Sequence, residues 1–380
     1  FLEILMWQGV EVHQMTQELH VKMDSMRKDF HDMPLGSFLV FVNQPQKNNV
    51  LSLFEKQVYP QRLLPNGDAE VPYDVAGWTL PLQMGVESEA VFEIKDFEKD
   101  RATLRRVENI NQARAVLNLS PQNPDVSGFA KLRNPLKTNP RVGLYKGFTS
   151  SMDEGWTRFV FDTFQIPFKS VSDADVRSGD LNYDVIVLAA DNENTIVNGL
   201  NAERYESQFA GGIGVAGVAS LKNFVEGGGK LVCFDDSCEM VIKRFNLPMK
   251  NVLAGLRRNE FYNPGSIVKL DVDRSSPLAR GMADEASAYF SNSSAFDILS
   301  EPPVSAGGQK RAMQIMTVAQ YGLKNALLSG WMLGEKHLNG QTALAEATYG
   351  KGKIILFAFR PQHRGQSWAT FPFIFNALEN

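Results

Sequence analysis

The chain has 380 residues, 43% of them hydrophobic and 22% charged, the balance of a folded globular protein rather than a disordered or collagen-like one. Its formal net charge of −4 supplies no field that would draw in nucleic acid or anionic lipid. No apolar run approaches the roughly 20 residues that a membrane-spanning helix requires. The length fits two domains.

In chain order, Leu2, Leu5 and Met6 form a stripe on a short helix that Gly9 closes. The opening mixes apolar residues with Glu3 and Gln8 and has no basic segment before it, so it reads as an amphipathic helix cut in its middle, in a fragment of a longer protein. Ser37–Val42 is an apolar, β-prone run ended by Asn43 and Pro45. Val50, Leu51, Leu53, Phe54 and Val58 follow at helical spacing up to Pro60. Pro65–Asp68 is a turn by composition, and Pro72–Leu82 an extended stretch whose aromatics pack on another element. Alternation at Ala90, Phe92, Ile94 and Phe97 gives way to a charged helix ending near Leu119. A stretch rich in Pro, Asn and Ser from Ser120 to Pro140 reads as a linker. The expected division is a smaller α/β region, 1–137, and a larger α/β domain, 138–380.

The larger domain has a different rhythm. Arg141–Tyr145, Val185–Ala190, Leu231–Phe234 and Lys353–Phe359 are near-continuous apolar runs, the pattern of strands covered on both faces of a parallel sheet. Between them lie a helix with Trp156, Phe159, Val160 and Phe164 on one face, capped by Ser151 or Asp153, and a second through Val218, Leu221, Phe224 and Val225 that closes at Gly227–Gly229. A third begins near Met240, and a last one carries Phe371, Phe375 and Leu378. Such alternation signals βαβ units and a flavodoxin-like fold.

Four constellations bear on chemistry. The five histidines, His13, His20, His31, His337 and His363, include no zinc-binding pair at helical spacing, so this chain is expected to hold no metal. Cys238 follows the Leu231–Phe234 strand, where α/β folds place nucleophiles, and His363 follows the last strong strand and would be its base. The turn reads Asp235-Asp236-Ser237-Cys238, without the small residues of a tight elbow, and its carboxylates would raise the thiol's pKa. The other reading of Cys238 is a packed, inert thiol. Gly211-Gly212-Ile213-Gly214 opens a helix but follows no strand and lacks a P-loop's Lys-Ser/Thr, so it reads as a loop with a helix start. Arg360, His363 and Arg364 stand just after a buried strand, where open α/β sheets bind ligands, and with Asp235 and Asp236 form a candidate site for a carboxylate or sugar. Alternatively these groups pair with Asp235, Asp236 or Asp191 and hold the loops together.

Several long strings resemble one family. Tyr73–Val86, Ser151–Arg158, Gly211–Gly214, Phe261–Ser266, Leu328–Glu335 and Phe359–Arg364 look like the region that follows the peptidase domain in large bacterial zinc carboxypeptidases of the carboxypeptidase A-like group. That resemblance covers essentially the whole chain. It implies a class I glutamine amidotransferase-like domain and an accessory role as scaffold, substrate-recognition or interaction module. It also implies an upstream peptidase domain as partner, holding the zinc, with a peptide or glycan as a possible ligand. The implied setting is periplasmic or extracellular. The family's zinc ligands and catalytic Glu match no position here, and the amidotransferase Cys-His-Glu triad is met only loosely, by Cys238 and His363. A cysteine-dependent hydrolase or amidase using those two residues, or a carbohydrate- or anion-binding module, is the alternative expectation.

Overall fold

The computed structural model describes every residue except Ser25, Arg27, 119–131, Ser150, 301–312 and Asn380. The chain forms two compact units that are discontinuous in sequence: Phe1–Glu55 with Thr79–Ala130, and Lys56–Trp78 with Lys131–Asn380.

The first unit is built from short elements. The helix Leu2–Trp7 buries only Leu5, and the following Gly9 takes φ +77, the left-handed conformation that favours glycine at a helix end. The helix Lys47–Phe54 buries Val50, and Ile110–Val116 buries Ala113. The apolar run Ser37–Val42 yields only a two-residue strand, Phe38–Leu39, because one antiparallel partner, His13–Met15, meets it over two residues. Two three-stranded antiparallel sheets result, each covering a small apolar cluster, one around Leu5, Val10 and Val107 and one around Met15, Leu19 and Val21.

The second unit carries a 12-stranded mixed sheet. Five of its strands are parallel, in the spatial order Phe168–Val171, Val142–Tyr145, Val185–Leu188, Lys230–Phe234 and Gly352–Phe357. Numbered along the chain this order is 2-1-3-4-5, the flavodoxin-like arrangement. The unit is therefore a flavodoxin-like α/β domain, as expected. Every residue of Val142–Tyr145, Val185–Leu188 and Lys230–Phe234 is buried, which accounts for their uninterrupted apolar sequence. Each large aliphatic side chain so enclosed contributes about 1.5–3 kcal/mol. Between the helix Ser237–Phe245 and the fifth parallel strand the chain inserts antiparallel strands, among them Ser266–Val272, Glu285–Phe290, Ile315–Tyr321 and Thr342–Tyr349, which extend the sheet beyond Gly352–Phe357.

Three expectations change here. The segment Lys56–Trp78, expected within the first region, belongs to the second unit. Gln57 is buried there, receives a hydrogen bond from Trp78 N at 2.9 Å and exchanges hydrogen bonds with the Ser329 hydroxyl, while Ala76 N and Gly77 N both donate to Gly265 O. Small residues make this packing: a Cβ on Gly77 would lie 2.5 Å from Ser329 O, whereas Tyr73 is fully exposed and Trp78 is 38% exposed. The helix Met152–Thr163 is capped by Ser151, whose hydroxyl accepts from Glu154 N at 3.3 Å, but it buries Glu154, Thr157, Val160 and Phe161. Trp156 and Phe159, expected on one face with Val160 and Phe164, are 36% and 37% exposed, whereas Val160 is buried. The helical run expected to continue to Val58 stops at Phe54, and Val58 is 87% exposed. Most of the expected linker lies outside the described residues. From Leu132 onward the chain is already attached to the second unit, through Leu132 N to Thr163 O and Thr138 N to Glu379 Oε1.

Candidate functional site

The carboxyl ends of the parallel strands gather the residues of interest. The Lys230–Phe234 strand ends at Asp235, which takes φ +48, a left-handed conformation that costs a non-glycine residue about 1–3 kcal/mol. Asp235 N donates to Phe357 O on the neighbouring strand at 2.7 Å. The Ser237 hydroxyl accepts from Phe234 N at 3.0 Å and lies 3.1 Å from Leu188 O, so the turn is tied to strands on both sides. The helix Ser237–Phe245 starts immediately afterwards. The strained strand-to-helix position, where α/β hydrolases carry their nucleophile, is thus occupied by Asp235.

Cys238 sits inside the first helical turn and is completely buried. Its thiol donates to backbone carbonyls, Phe357 O at 3.2 Å and Cys233 O at 3.4 Å. Burial pushes this thiol well above the ordinary cysteine range, and Cys233, Asp235, Glu239 and Asp236 push it the same way. A nucleophilic thiol needs the opposite environment. His363 does not turn towards it. The imidazole is 9% exposed and stacks on Tyr289, ring centroids 3.8 Å apart and nearly parallel. Burial, reinforced by Arg364 and Arg360, lowers its pKa to about 3. Cys238 and His363, expected as nucleophile and base, are therefore both buried in separate packing environments.

Arg360 is the organising group. Its Nε donates to Asp153 Oδ2 at 3.1 Å, and one terminal nitrogen donates to Asp235 Oδ2 at 2.5 Å and to Ser291 O at 3.0 Å. The other donates to Asp236 Oδ2 at 3.3 Å. A guanidinium has five N–H donors, so at most one is left for anything else. Asp235 is fully buried and also accepts from the Ser293 hydroxyl at 2.6 Å. Burial pushes its carboxyl well up while Arg360 opposes that shift. Asp153 and Asp191 are raised for the same first reason, burial, with Arg360 opposing the shift at Asp153. Pairing of Arg360 with Asp235 and Asp236 was one of the two readings open from sequence; Asp153 is the third partner. Its role was hidden because a helix-start Asp reads as a cap. Ser291 and Ser293 come from the antiparallel insertion and carry no sequence signal. Arg364 has φ +49, is exposed, and makes no ion pair among the described residues.

The glycine-rich string serves packing. Gly211 bridges to Leu200, and Gly212 O accepts from Arg177. A Cβ on Gly212 would lie 2.3 Å from Ile196 O, so the loop is pressed against its own backbone where a phosphate cradle would be open. Among the described residues, no group of three or more His, Cys, Asp or Glu side chains is arranged to hold a metal ion, and no helix is long and apolar enough to cross a membrane.

No protein-family profile matches the chain. No curated protein matches it either. Among solved structures, a cytoplasmic protein of Salmonella typhimurium is 16% identical, with a TM-score of 0.39 over 63% of this chain and 97% of its own. A putative ThuA-like protein of Bacteroides uniformis is 11% identical, with a TM-score of 0.35 over 67% of this chain and 94% of its own. PurLQS of Thermotoga maritima is 14% identical, with a TM-score of 0.36 over 63% of this chain and 97% of its own.

Proposed function

We propose that this chain is a non-catalytic accessory region of a larger zinc carboxypeptidase, serving as a scaffold, substrate-recognition or interaction module, in a periplasmic or extracellular setting. The observation that carries the non-catalytic part is the elbow: an aspartate locked to Arg360 occupies it, and the nearest thiol is buried against backbone carbonyls. The resemblance of long strings from Tyr73 to Arg364 carries the parentage, with zinc and hydrolysis assigned to an upstream domain and a class I glutamine amidotransferase-like role without the triad assigned to this one.

Two measurements test it. The full-length polypeptide is expected to release C-terminal residues from peptides and to lose that activity with a chelator, while this chain alone hydrolyses neither peptides nor glutamine. Zinc-dependent hydrolysis by this chain alone, or a full-length product without peptidase activity, overturns the proposal. Iodoacetamide is expected to label Cys238 in the folded chain at least 100-fold more slowly than in urea, because the thiol is reached only through opening. Labelling as fast as a free peptide thiol, together with loss of any hydrolytic activity, would instead establish the cysteine-hydrolase reading.

A further inference from the structure

A cavity of about 360 Å³ opens beside the elbow, and its lining includes Asp236, which Arg360 pairs with, and Ser293. This volume lies at the small end of the range for ligand pockets, roughly 300–1,000 Å³. One part of its lining comes from the start of the helix Ser237–Phe245 and supplies the carboxyl groups of Asp236 and Glu239. Another comes from the chain between residues 251 and 263 and supplies the Arg258 guanidinium and the Asn263 amide, with Phe261 and Tyr262 between them.

Three polar groups of this lining lack a hydrogen-bond or ion-pair partner among the described residues, whereas Asp236, Asn251 and Ser293 are already paired. Asn263 is 1% exposed; its carbonyl oxygen accepts from Gly265 N, but its Nδ2 has no partner among the described residues. Glu239 Oε1 is buried and likewise unpartnered. Arg258 lies over the Tyr262 ring at 5.8 Å and forms no ion pair among the described residues, although two carboxyl side chains line the same cavity. Buried donors and acceptors are nearly always satisfied, and each one left unmade is costly. A neutral polyol would meet the amide but leave both charges uncompensated. A ligand carrying one ammonium and one carboxylate meets all of them.

We infer that this cavity binds a small zwitterion of free α-amino-acid size. Its ammonium donates to Glu239 Oε1 and Asp236, and its carboxylate accepts from Asn263 Nδ2 and the Arg258 guanidinium. The inference rests on the cavity alone, so its failure leaves the proposed parentage untouched, and the reverse.

The test is a thermal-shift screen of the intact chain against the proteinogenic L-amino acids, followed by calorimetry. At least one free amino acid in large excess is expected to raise Tm by roughly 3 °C. Its methyl ester and its N-acetyl derivative, each lacking one charge, are expected to bind at least tenfold more weakly. Glu239→Gln and Arg258→Ala are each expected to weaken binding at least tenfold. Arg258 is exposed, so Arg258→Ala folds normally and decides the matter even if Glu239→Gln is unstable. No binding by any amino acid at millimolar concentration, binding by neutral monosaccharides equal to that of amino acids, or full binding by Arg258→Ala overturns the inference.

Discussion

The Arg360 cluster and the adjacent cavity share Asp236 and Ser293 but differ in how their guanidinium groups are engaged. Around Arg360, three carboxylates and a backbone carbonyl use nearly every guanidinium donor. In the cavity a buried amide nitrogen and a buried carboxyl oxygen have no partner among the described residues, and the Arg258 guanidinium forms no ion pair among them. The difference teaches that charged groups at this end of the sheet are not equivalent: a guanidinium whose donors are taken by carboxylates holds loops, and one without an ion pair is available to a ligand.

The largest expected effect comes from breaking the closed cluster. Arg360→Leu leaves Asp235 buried without its counter-charge and is expected to cost about 3–5 kcal/mol near neutral pH, read from urea unfolding. A loss below about 1 kcal/mol would show that the cluster is not structural. By contrast, Arg258→Ala should stay within about 0.5 kcal/mol of the wild type, since the residue is exposed and forms no ion pair among the described residues.

His363 gives an effect of similar size confined to acid. Its folded pKa of about 3 lies below the unfolded value near 6.5, so the unfolded chain binds the extra proton. The stability it contributes is fully present above about pH 6.5 and is lost as pH falls towards 3, by roughly 3–5 kcal/mol in all. Asp153, Asp191 and Asp235 work in the opposite direction, because their raised pKa values favour the protonated folded state. The difference between wild type and His363→Phe, which keeps a ring against Tyr289, therefore isolates the histidine. Parallel stability profiles for the two between pH 6.5 and 3 would contradict the buried, neutral imidazole.

A smaller effect separates packing glycines from conformational ones. Gly212→Ala drives a methyl against Ile196 O and is expected to cost about 2–3 kcal/mol. Gly214→Ala meets nothing within 4 Å but must hold φ +60, costing about 1–2 kcal/mol. Thermal unfolding that ranked Gly214→Ala as the more damaging would restore an open loop at Gly211–Gly214.

Much of the second unit is legible in the sequence. Val185–Leu188 and Lys230–Phe234 are continuous apolar runs because both faces of a central parallel strand are covered, and that requirement is local enough to see in sequence. The Ser151 cap was legible for the same reason, since the bonded atoms lie three residues apart. The apolar run Ser37–Val42 forms only the strand Phe38–Leu39: apolar character is necessary for a strand, but its length depends on the partner. Spacing groups Trp156 and Phe159 with Val160, yet the face that is buried includes Glu154, Thr157, Val160 and Phe161. Glu154 is buried there because it pairs with Arg158 one turn along the helix.

The sequence by itself determined the class of the second unit and the absence of a metallopeptidase zinc motif, since both are written in short-range pattern. Only the tertiary structure decided what sits at the elbow. Asp235 and Arg360 are 125 positions apart, and their union depends on two parallel strands lying side by side. The cavity likewise needs the 251–263 segment brought against Asp236 and Glu239 by the inserted strands. Periodicity reports which face of an element is apolar. It does not report which charged residues from distant elements meet and neutralise one another, and that meeting separates the closed cluster from the open cavity.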